Sequence, residues 1–386
     1  MENTSFYGND NGFREQGDSL YQCFGLELVP GNKCQLNCDG CFKNQNLSEK
    51  GDIPLEEAKD YIRQAQESGF SEVAFLGGEP GLYPHIFELI QFTREQKLKP
   101  ILVTNGILLA DEENAQKLEG MDSIVVTHAY FPGGEQVIDT FSGRNGYAEL
   151  LAKAIENIKK IPNTTVILEM ALNDQFFPHA FDFFKYCREN NLDPFIEISR
   201  RDDEGGKTTR VSPEQVKQLF ERFREYDELN YPEKASHITT PPAYGQACTM
   251  PMTGVHIKNF GNGDHGGVYS CCAQPIRHGD LKKESLQEIL KSPTLSVYQN
   301  QDAFIVGPCK DCDVYDECKG GCRGEAVLRF GCPRASNPGC DKIPEDKRED
   351  ISVMAPESCR GCVLESDEAC SLKPKESLKA KSKFYF

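Results

Sequence analysis

The sequence has few basic residues, no long apolar run and no secretion signal, and each absence excludes a class of protein. Lysine and arginine number 43 against 60 aspartate and glutamate residues, a formal net charge of −17 at pH 7. Nucleic acids and anionic membranes are bound by clustered basic side chains, which excludes both as partners. No apolar run reaches the length of a membrane helix. The polar N-terminus lacks a signal-peptide pattern, so the sequence predicts a cytoplasmic protein.

Cysteine, by contrast, is abundant. The chain of 386 residues contains 17 cysteines, and in a reducing compartment such numbers indicate metal rather than disulfides. Most of them follow residue 247, in a segment rich in Gly, Pro and Asp that shows little periodic structure. Such a segment buries too little apolar area to fold unaided, and bound metal would supply the missing free energy.

From residue 24 to residue 200, short β-rich runs alternate with amphipathic stretches. The patterns predict strands at 24–29, 72–76, 100–105, 123–128, 164–172 and 194–199, and helices at 54–68, 84–97, 147–160 and 178–190. About six βα units with continuously apolar strands are typical of a parallel sheet covered by helices. A charged segment at 201–212 resembles a linker, and a further helix is predicted at 212–226.

Three cysteines follow the first predicted strand on one short loop. Cys34, Cys38 and Cys41 have the spacing Cys-x3-Cys-x2-Cys. Three thiolates so close can hold three irons of one cubane cluster and leave the fourth iron open to a small molecule. Zinc is the alternative, but zinc sites usually close with four ligands and favour paired Cys-x2-Cys.

These residues resemble the motif of the radical S-adenosylmethionine (SAM) superfamily, over roughly residues 24–200. The resemblance implies a partial (β/α)6 barrel, similar to a TIM barrel, with the active site at the carboxyl edge of its strands. It also implies a 4Fe–4S cluster whose open iron chelates SAM, reductive cleavage of SAM, and hydrogen abstraction from a substrate by the 5′-deoxyadenosyl radical. Relatives usually carry a bulky residue before the third cysteine, whereas this chain has Gly40 there and Phe42 after it.

Further residues agree with this resemblance. The Gly-Gly-Glu-Pro run after the second strand resembles the family motif that binds the methionine amino group, and Thr-Asn-Gly ends the third strand. The implied SAM contacts are Gly77, Gly78, Glu79, Pro80, Thr104, Asn105, Glu169 and Arg200 or Arg201. The last three are equally typical of ordinary polar residues at strand ends. His128 ends the fourth predicted strand, where it can transfer a proton, although a lone histidine is more often structural.

The second group of cysteines resembles the SPASM domain, a C-terminal extension of many radical SAM enzymes that holds two auxiliary 4Fe–4S clusters. Carried over, one cluster would use Cys309, Cys312, Cys318 and Cys340. The other would use Cys248, Cys322 and one or both of Cys271 and Cys272. If only one of the pair binds, the fourth ligand is missing and leaves a site for substrate. A zinc ribbon is the alternative for 309–322.

The remaining cysteines have less definite roles. Cys332, Cys359, Cys362 and Cys370 form a possible third auxiliary metal site, with loose thiols as the alternative. Cys332 is also a candidate hydrogen donor for an epimerisation. Cys187 is expected to pack inside a helix.

The predicted organisation is an N-terminal arm at 1–22, the radical SAM barrel at 23–200, a linker and helix at 201–244, the SPASM domain at 245–342 and a tail at 343–386. The resemblance implies a flavodoxin or ferredoxin-type electron donor and, as the leading substrate, a ribosomally made peptide or a protein side chain. The absence of a leader-binding domain favours an alternative, a small polyol or aminosugar that is dehydrogenated or epimerised. A non-catalytic iron–sulfur electron carrier is the alternative of another class.

Overall fold

The fold was analysed in a computed structural model. It describes residues 21–39, 41, 51–198, 211–235, 247–248, 250–272, 274, 276–299, 302 and 305–355. Most of the N-terminal arm and of the linker lies outside these residues. So do Gly40, Phe42, Arg200, Arg201, Cys359, Cys362 and Cys370.

Six parallel strands in sequential order form the main part of the sheet. They are β1 (Cys23–Val29), β2 (Glu72–Gly77), β3 (Lys99–Thr104), β4 (Ser123–Val126), β5 (Thr165–Leu172) and β6 (Asp193–Ile198). Each strand pairs with its neighbour in the chain, in the order β6-β5-β4-β3-β2-β1. This sequential order is that of a (β/α) barrel and differs from the reversed order of a doubly wound sheet. The predicted fold class is therefore confirmed.

Helices connect these strands, as parallel pairing requires. The helices are α1 (Leu55–Glu67), α2 (Ile86–Glu95), α3 (Glu112–Gln116), α4 (Glu135–Ser142), α5 (Tyr147–Ile158), α6 (Ala180–Glu189) and α7 (Pro213–Asn230). Short 3₁₀ segments lie at Pro80–Leu82, Ile107–Ala110 and Phe177–His179. None of the helices in the described ranges is long and apolar enough to cross a membrane.

The two faces of the sheet have different surroundings. Phe24, Leu26 and Leu28 of β1 belong to the large apolar core shared with the helices. The alternate face packs Ala74, Ile101, Val125 and Ile167 together, with Cys23 and Phe195 against them, and forms the interior of the barrel. Because side chains alternate along a strand, every second residue of each strand points into this interior.

Three further strands extend the sheet beyond β1, which the sequence did not predict. β7 (Val255–Lys258) pairs parallel to β1, and β8 (Gly267–Tyr269) and β9 (Arg277–Asp280) continue antiparallel. The sheet thus has nine strands, and it continues past the boundary expected near residue 245. The prediction of little regular structure there was wrong because strands of three or four residues are too short to show a period.

The cysteine-rich segment that follows is built from short helices and a small core of its own. The helices α8 (Pro232–Ala235) and α9 (Met250–Thr253) precede β7. The helices after β9 are α10 (Leu286–Ile289), α11 (Pro293–Gln299), α12 (Tyr315–Cys318), α13 (Arg323–Phe330) and α14 (Ile351–Met354), with 3₁₀ segments at Gly307–Asp311 and Glu345–Lys347. The core contains Val306, Phe330, Cys332, Ile343 and Met354. Cys332 is completely buried there.

A buried ion pair joins the last two helices of the barrel. The Arg188 guanidinium on α6 donates two hydrogen bonds to one carboxylate oxygen of Asp227 on α7, at 3.0 and 2.8 Å. Both side chains are almost completely buried. Removal of one partner leaves a buried charge without compensation.

We therefore predict that Asp227→Ala lowers the free energy of unfolding by about 3–5 kcal/mol, as measured by urea denaturation. Glu112→Ala, which breaks the exposed pair with Lys160, is the matched control and should leave the stability nearly unchanged. Equal effects of the two substitutions would contradict this role for the buried pair.

Candidate functional site

The loop that carries Cys34, Cys38 and Cys41 follows β1 directly, at the carboxyl edge of the barrel. Backbone hydrogen bonds attach the loop to the end of α4. The Asn37 N–H donates to the Ser142 carbonyl at 3.0 Å, and the Asp39 N–H donates to the Phe141 carbonyl at 2.7 Å. The loop is therefore held by an element that lies about a hundred residues further along the chain.

The three thiols are close enough to affect each other's ionisation. Burial raises the pKa of Cys38, and the neighbouring thiolates of Cys41 and Cys34 raise it further. Burial is also the main cause of the raised pKa of Cys34. Three thiolates in such a place repel each other, and only a bound cation reverses the cost of ionising them together.

This donor set fits an iron–sulfur cubane. None of the cysteines in the described ranges forms a disulfide. No group of three or more of the described His, Cys, Asp and Glu side chains converges as a single metal ion requires. A cubane needs no such convergence, because each cysteine binds a different iron of the cluster.

The Gly-Gly-Glu-Pro run lies beside this loop in close backbone contact. A Cβ atom on Gly78 would lie 2.4 Å from the Lys33 carbonyl oxygen and 2.6 Å from that of Pro30. Gly77 has a φ of 138°, a conformation that glycine adopts readily. Both glycines are therefore required by the approach of the β2 loop to the cysteine loop.

Glu79 is a buried acceptor for three donors. Its Oε1 accepts from the Thr104 hydroxyl at 2.6 Å and from the Gly81 N–H at 2.8 Å, and its Oε2 accepts from the Asn105 N–H at 2.7 Å. The side chain is 1% exposed. Burial raises the pKa of Glu79, and these hydrogen bonds oppose the rise.

These contacts give Glu79 a structural role that the sequence did not predict. A carboxylate that is enclosed in this way braces the ends of β2 and β3, and its contact with the methionine amino group of SAM stays a prediction. Thr104 takes part in the same brace and is equally buried.

Two polar side chains reach the cysteine sulfurs from neighbouring strand ends. Asn105 Nδ2, after β3, lies 3.5 Å from Cys34 Sγ and donates to Gln35 Oε1 at 3.1 Å. His128 Nε2, after β4, lies 3.1 Å from Cys38 Sγ. Burial lowers the pKa of His128 to about 4, so the ring is neutral at pH 7. The structure thus places His128 beside a cysteine, a contact that the sequence did not predict.

Several carboxylates of the described strands face the barrel interior, and three of them lie nearer the carboxyl ends of their strands. Glu27 on β1, Glu169 on β5 and Glu197 on β6 lie on the interior face, because each follows the interior residue Cys23, Ile167 or Phe195 at an even spacing. Glu169 and Glu197 are half-buried. The predicted polar residue Glu169 therefore faces the interior, beside an acidic residue that the sequence analysis missed.

Two basic side chains from β7 enter the same interior. His256 pairs with Gly25 across the strands, and its Nε2 lies 3.5 Å from Glu27 Oε1. Lys258 Nζ lies 4.6 Å from the centre of the Tyr269 ring. The side chains of Glu27, His256, Lys258 and Tyr269 are all buried. The sequence feature that could have indicated these interior charges is Glu27, because it is a charged residue inside an otherwise apolar strand.

The first auxiliary cysteine set lies around Cys271. The hydrogen bond shared with the neighbouring thiol of Cys272 is the main cause of the raised pKa of Cys271. Burial raises it further, and Cys248 and Cys322 add to the rise. Four cysteines separated by up to 74 positions are thus brought together. Cys23 has no predicted role. Burial is the main cause of its raised pKa of about 12, and the nearby Cys272 contributes to the rise.

The second auxiliary set lies around Cys340. Burial raises the pKa of Cys340 to about 11, and the nearby Cys309 and Cys318 contribute to the rise. The Cys312 N–H donates to the Cys309 carbonyl at 3.3 Å, which places Cys312 on the same turn. The structure thus places Cys309, Cys318 and Cys340 near one another with Cys312 on the adjoining turn, and the two ligand sets stay predictions.

Two other cysteines lie apart from these sets. Cys332 is enclosed in the small core, where a substrate does not reach it, so its expected role as a hydrogen donor does not fit the structure. Cys187 is buried in α6, as predicted for a packing residue.

Comparison with known proteins matches both parts of the chain to families. Residues 28–184 match the radical SAM superfamily, and residues 248–313 match SPASM, an iron–sulfur cluster-binding domain. The AdoMet-dependent heme synthase of Methanosarcina barkeri is 24% identical over 351 residues, which is 83% of this chain and 96% of that protein.

Solved structures show the same fold. SuiB of Streptococcus suis, bound to S-adenosylmethionine, aligns with a TM-score of 0.65 and 18% identity over 84% of this chain and 78% of its own. The structure of anSMEcpe with bound AdoMet aligns with a TM-score of 0.60 and 19% identity over 79% of this chain and 90% of its own.

We predict that Glu79→Ala lowers the free energy of unfolding of the SAM-free protein by about 1–3 kcal/mol, because three buried donors lose their acceptor. Urea denaturation without SAM measures the effect, and Glu88→Ala, on the exposed face of α2, is the control. A side chain that acted only on the ligand would leave this stability unchanged, which would contradict the brace.

Proposed function

Since the chain is a radical SAM enzyme with a C-terminal SPASM domain, we propose that it modifies a side chain of a peptide or protein by hydrogen abstraction. The observation that carries the proposal is the position of Cys34, Cys38 and Cys41 on one loop at the carboxyl edge of the barrel, close enough for Cys41 and Cys34 to raise the pKa of Cys38. These three cysteines would hold a 4Fe–4S cluster, which would supply the electron for cleavage of SAM to methionine and a 5′-deoxyadenosyl radical able to take a hydrogen atom from the substrate.

The protein's own residues prepare this site. Asn37 and Asp39 hold the cysteine loop on α4, and Glu79 holds the ends of β2 and β3. We propose that the backbone around Gly77 and Gly78, together with Asn105, contacts SAM. Because these segments are joined by buried hydrogen bonds, the site is preorganised before SAM binds.

We further propose that both auxiliary cysteine sets bind 4Fe–4S clusters. Cys309, Cys312, Cys318 and Cys340 hold one. Cys248, Cys271 and Cys322 hold the other, with Cys272 as the candidate fourth ligand. An external flavodoxin or ferredoxin-type protein is the proposed electron donor.

A peptide substrate is supported by proteins of the same fold. SuiB has been solved bound to the precursor peptide SuiA, and anSMEcpe has been solved with bound peptides. The fold therefore accommodates peptides next to AdoMet. The interior carboxylates Glu169 and Glu197 favour a substrate with a cationic group, such as a lysine or arginine side chain.

A cationic aminosugar is the second candidate, because the same two carboxylates fit its ammonium group. The heme synthase relative suggests a tetrapyrrole as a third class.

If both auxiliary cysteine sets bind clusters, replacing one cysteine of either set should lower the iron content of the protein. Cys312→Ala and Cys322→Ala should each lower the iron content of the anaerobically reconstituted protein by up to about four atoms per chain, because each disrupts one cluster. Cys187→Ala is the matched control and should keep the full content. Unchanged iron in both auxiliary variants would contradict the assignment.

The substrate class is tested by stimulation of SAM cleavage. We expect a soluble extract of the source cells to increase 5′-deoxyadenosine formation by the reconstituted, dithionite-reduced enzyme, and protease treatment of the extract to abolish the increase. Stimulation that survives protease and is reproduced by aminosugars would overturn the peptide proposal in favour of the second candidate. Reproduction by a tetrapyrrole would contradict both.

A further inference from the structure

We propose that His128 is a positioning residue that donates a hydrogen bond to the sulfur of Cys38 and thereby sets the reduction potential of the cluster at which SAM is cleaved. The inference rests on the proposed ligation by Cys34, Cys38 and Cys41. It assigns to His128 a task other than the proton transfer that its sequence position suggested.

The geometry places the imidazole directly against the sulfur. His128 Nε2 lies 3.1 Å from Cys38 Sγ, across 90 residues of sequence. The ring is held from the side by aromatic neighbours in edge contact, with centroid distances of 5.1 Å to Tyr147 and 6.2 Å to Phe141. Tyr147 is itself fixed, because its hydroxyl donates to the Asn105 carbonyl at 2.7 Å.

Metal ligation determines the direction of this hydrogen bond. A thiolate that binds iron has no proton and can only accept, so Nε2 must be the donor. The other ring nitrogen, Nδ1, lies 3.4 Å from the Thr127 hydroxyl, whose single proton has two acceptors in reach, Nδ1 and the Thr104 carbonyl at 3.3 Å. The tautomer with the proton on Nε2 is therefore set by the contact with the ligating sulfur.

The position of this donor explains what it does. A hydrogen bond to a ligating sulfur stabilises the more negative, reduced form of a cluster and raises its potential. Asn105 Nδ2 approaches Cys34 in a similar way from the neighbouring strand end, at the longer distance of 3.5 Å. The contact between His128 and Cys38 is therefore the shorter of these two side-chain contacts.

Two substitutions of His128 test the hydrogen-bond donor and the aromatic ring separately. His128→Phe removes the N–H but keeps an aromatic ring against Tyr147 and Phe141. His128→Gln loses the ring but keeps an amide donor. His179→Phe is the control, because His179 lies after β5 and stacks on Phe131 at 5.2 Å.

The measurement is a redox titration followed by electron paramagnetic resonance on the full-length, reconstituted protein. The signal that changes when SAM is added identifies the cluster with the open iron. We expect a shift to more negative potential in His128→Phe, a potential nearer the wild type in His128→Gln, and no shift in the control.

Potentials that are the same in wild type and His128→Phe would overturn the inference. So would a loss of 5′-deoxyadenosine formation without any change in potential, which would indicate that His128 acts on SAM cleavage in some way other than through the potential. If the wild type itself shows no SAM-dependent signal, the proposed function fails, and this outcome is distinct from failure of the His128 assignment alone.

Discussion

The buried carboxylate of Glu79 is the interaction on which the arrangement of the site depends. It accepts hydrogen bonds from Thr104 and Asn105 of the β3 end and from Gly81 of its own loop, and the backbone N–H of Glu79 donates to the Lys33 carbonyl of the cysteine loop. The side chain and the backbone of one residue together connect three segments that have to meet at one edge of the barrel. A buried carboxylate is costly unless its oxygens are paired, so these contacts also fix the geometry of each segment.

The second constraint is electrostatic. The chain places thiols in three groups, and in each group burial and the neighbouring sulfurs raise the pKa of a cysteine. Such groups are unfavourable as thiolates on their own, and they become favourable when an iron–sulfur cluster neutralises them. The same argument explains why a cysteine-rich segment with a core of only a few apolar residues forms an ordered domain.

Much of the fold was predictable because its signals are local. The apolar strands, the helix at Tyr147–Ile158 and the capped helix that starts at Pro213 follow from periodicity and capping residues within short windows. The cysteine spacing was equally local, since Cys34, Cys38 and Cys41 lie on one loop. β7 escaped prediction because it has only four residues and its interior positions carry His256 and Lys258, which hide the apolar alternation, and β8 because three residues are too few to show a period.

The roles of individual polar residues were less predictable. The motif around Glu79 identified the right loop, but only the three-dimensional structure shows that its carboxylate is enclosed. The contact between His128 and Cys38 joins residues 90 positions apart, and no sequence pattern records it. Cys332 is a different case. The sequence suggested a reactive role for this cysteine, whereas the structure encloses it in apolar surroundings that no sequence pattern indicated.

The central claim is that Cys34, Cys38 and Cys41 hold the cluster that cleaves SAM. The most direct measurement compares 5′-deoxyadenosine release by the wild type and by a variant with all three cysteines replaced by alanine, after reconstitution and reduction under argon. The account predicts that release disappears while the iron bound by the auxiliary cysteines is retained. Continued release of 5′-deoxyadenosine by the triple variant would contradict it.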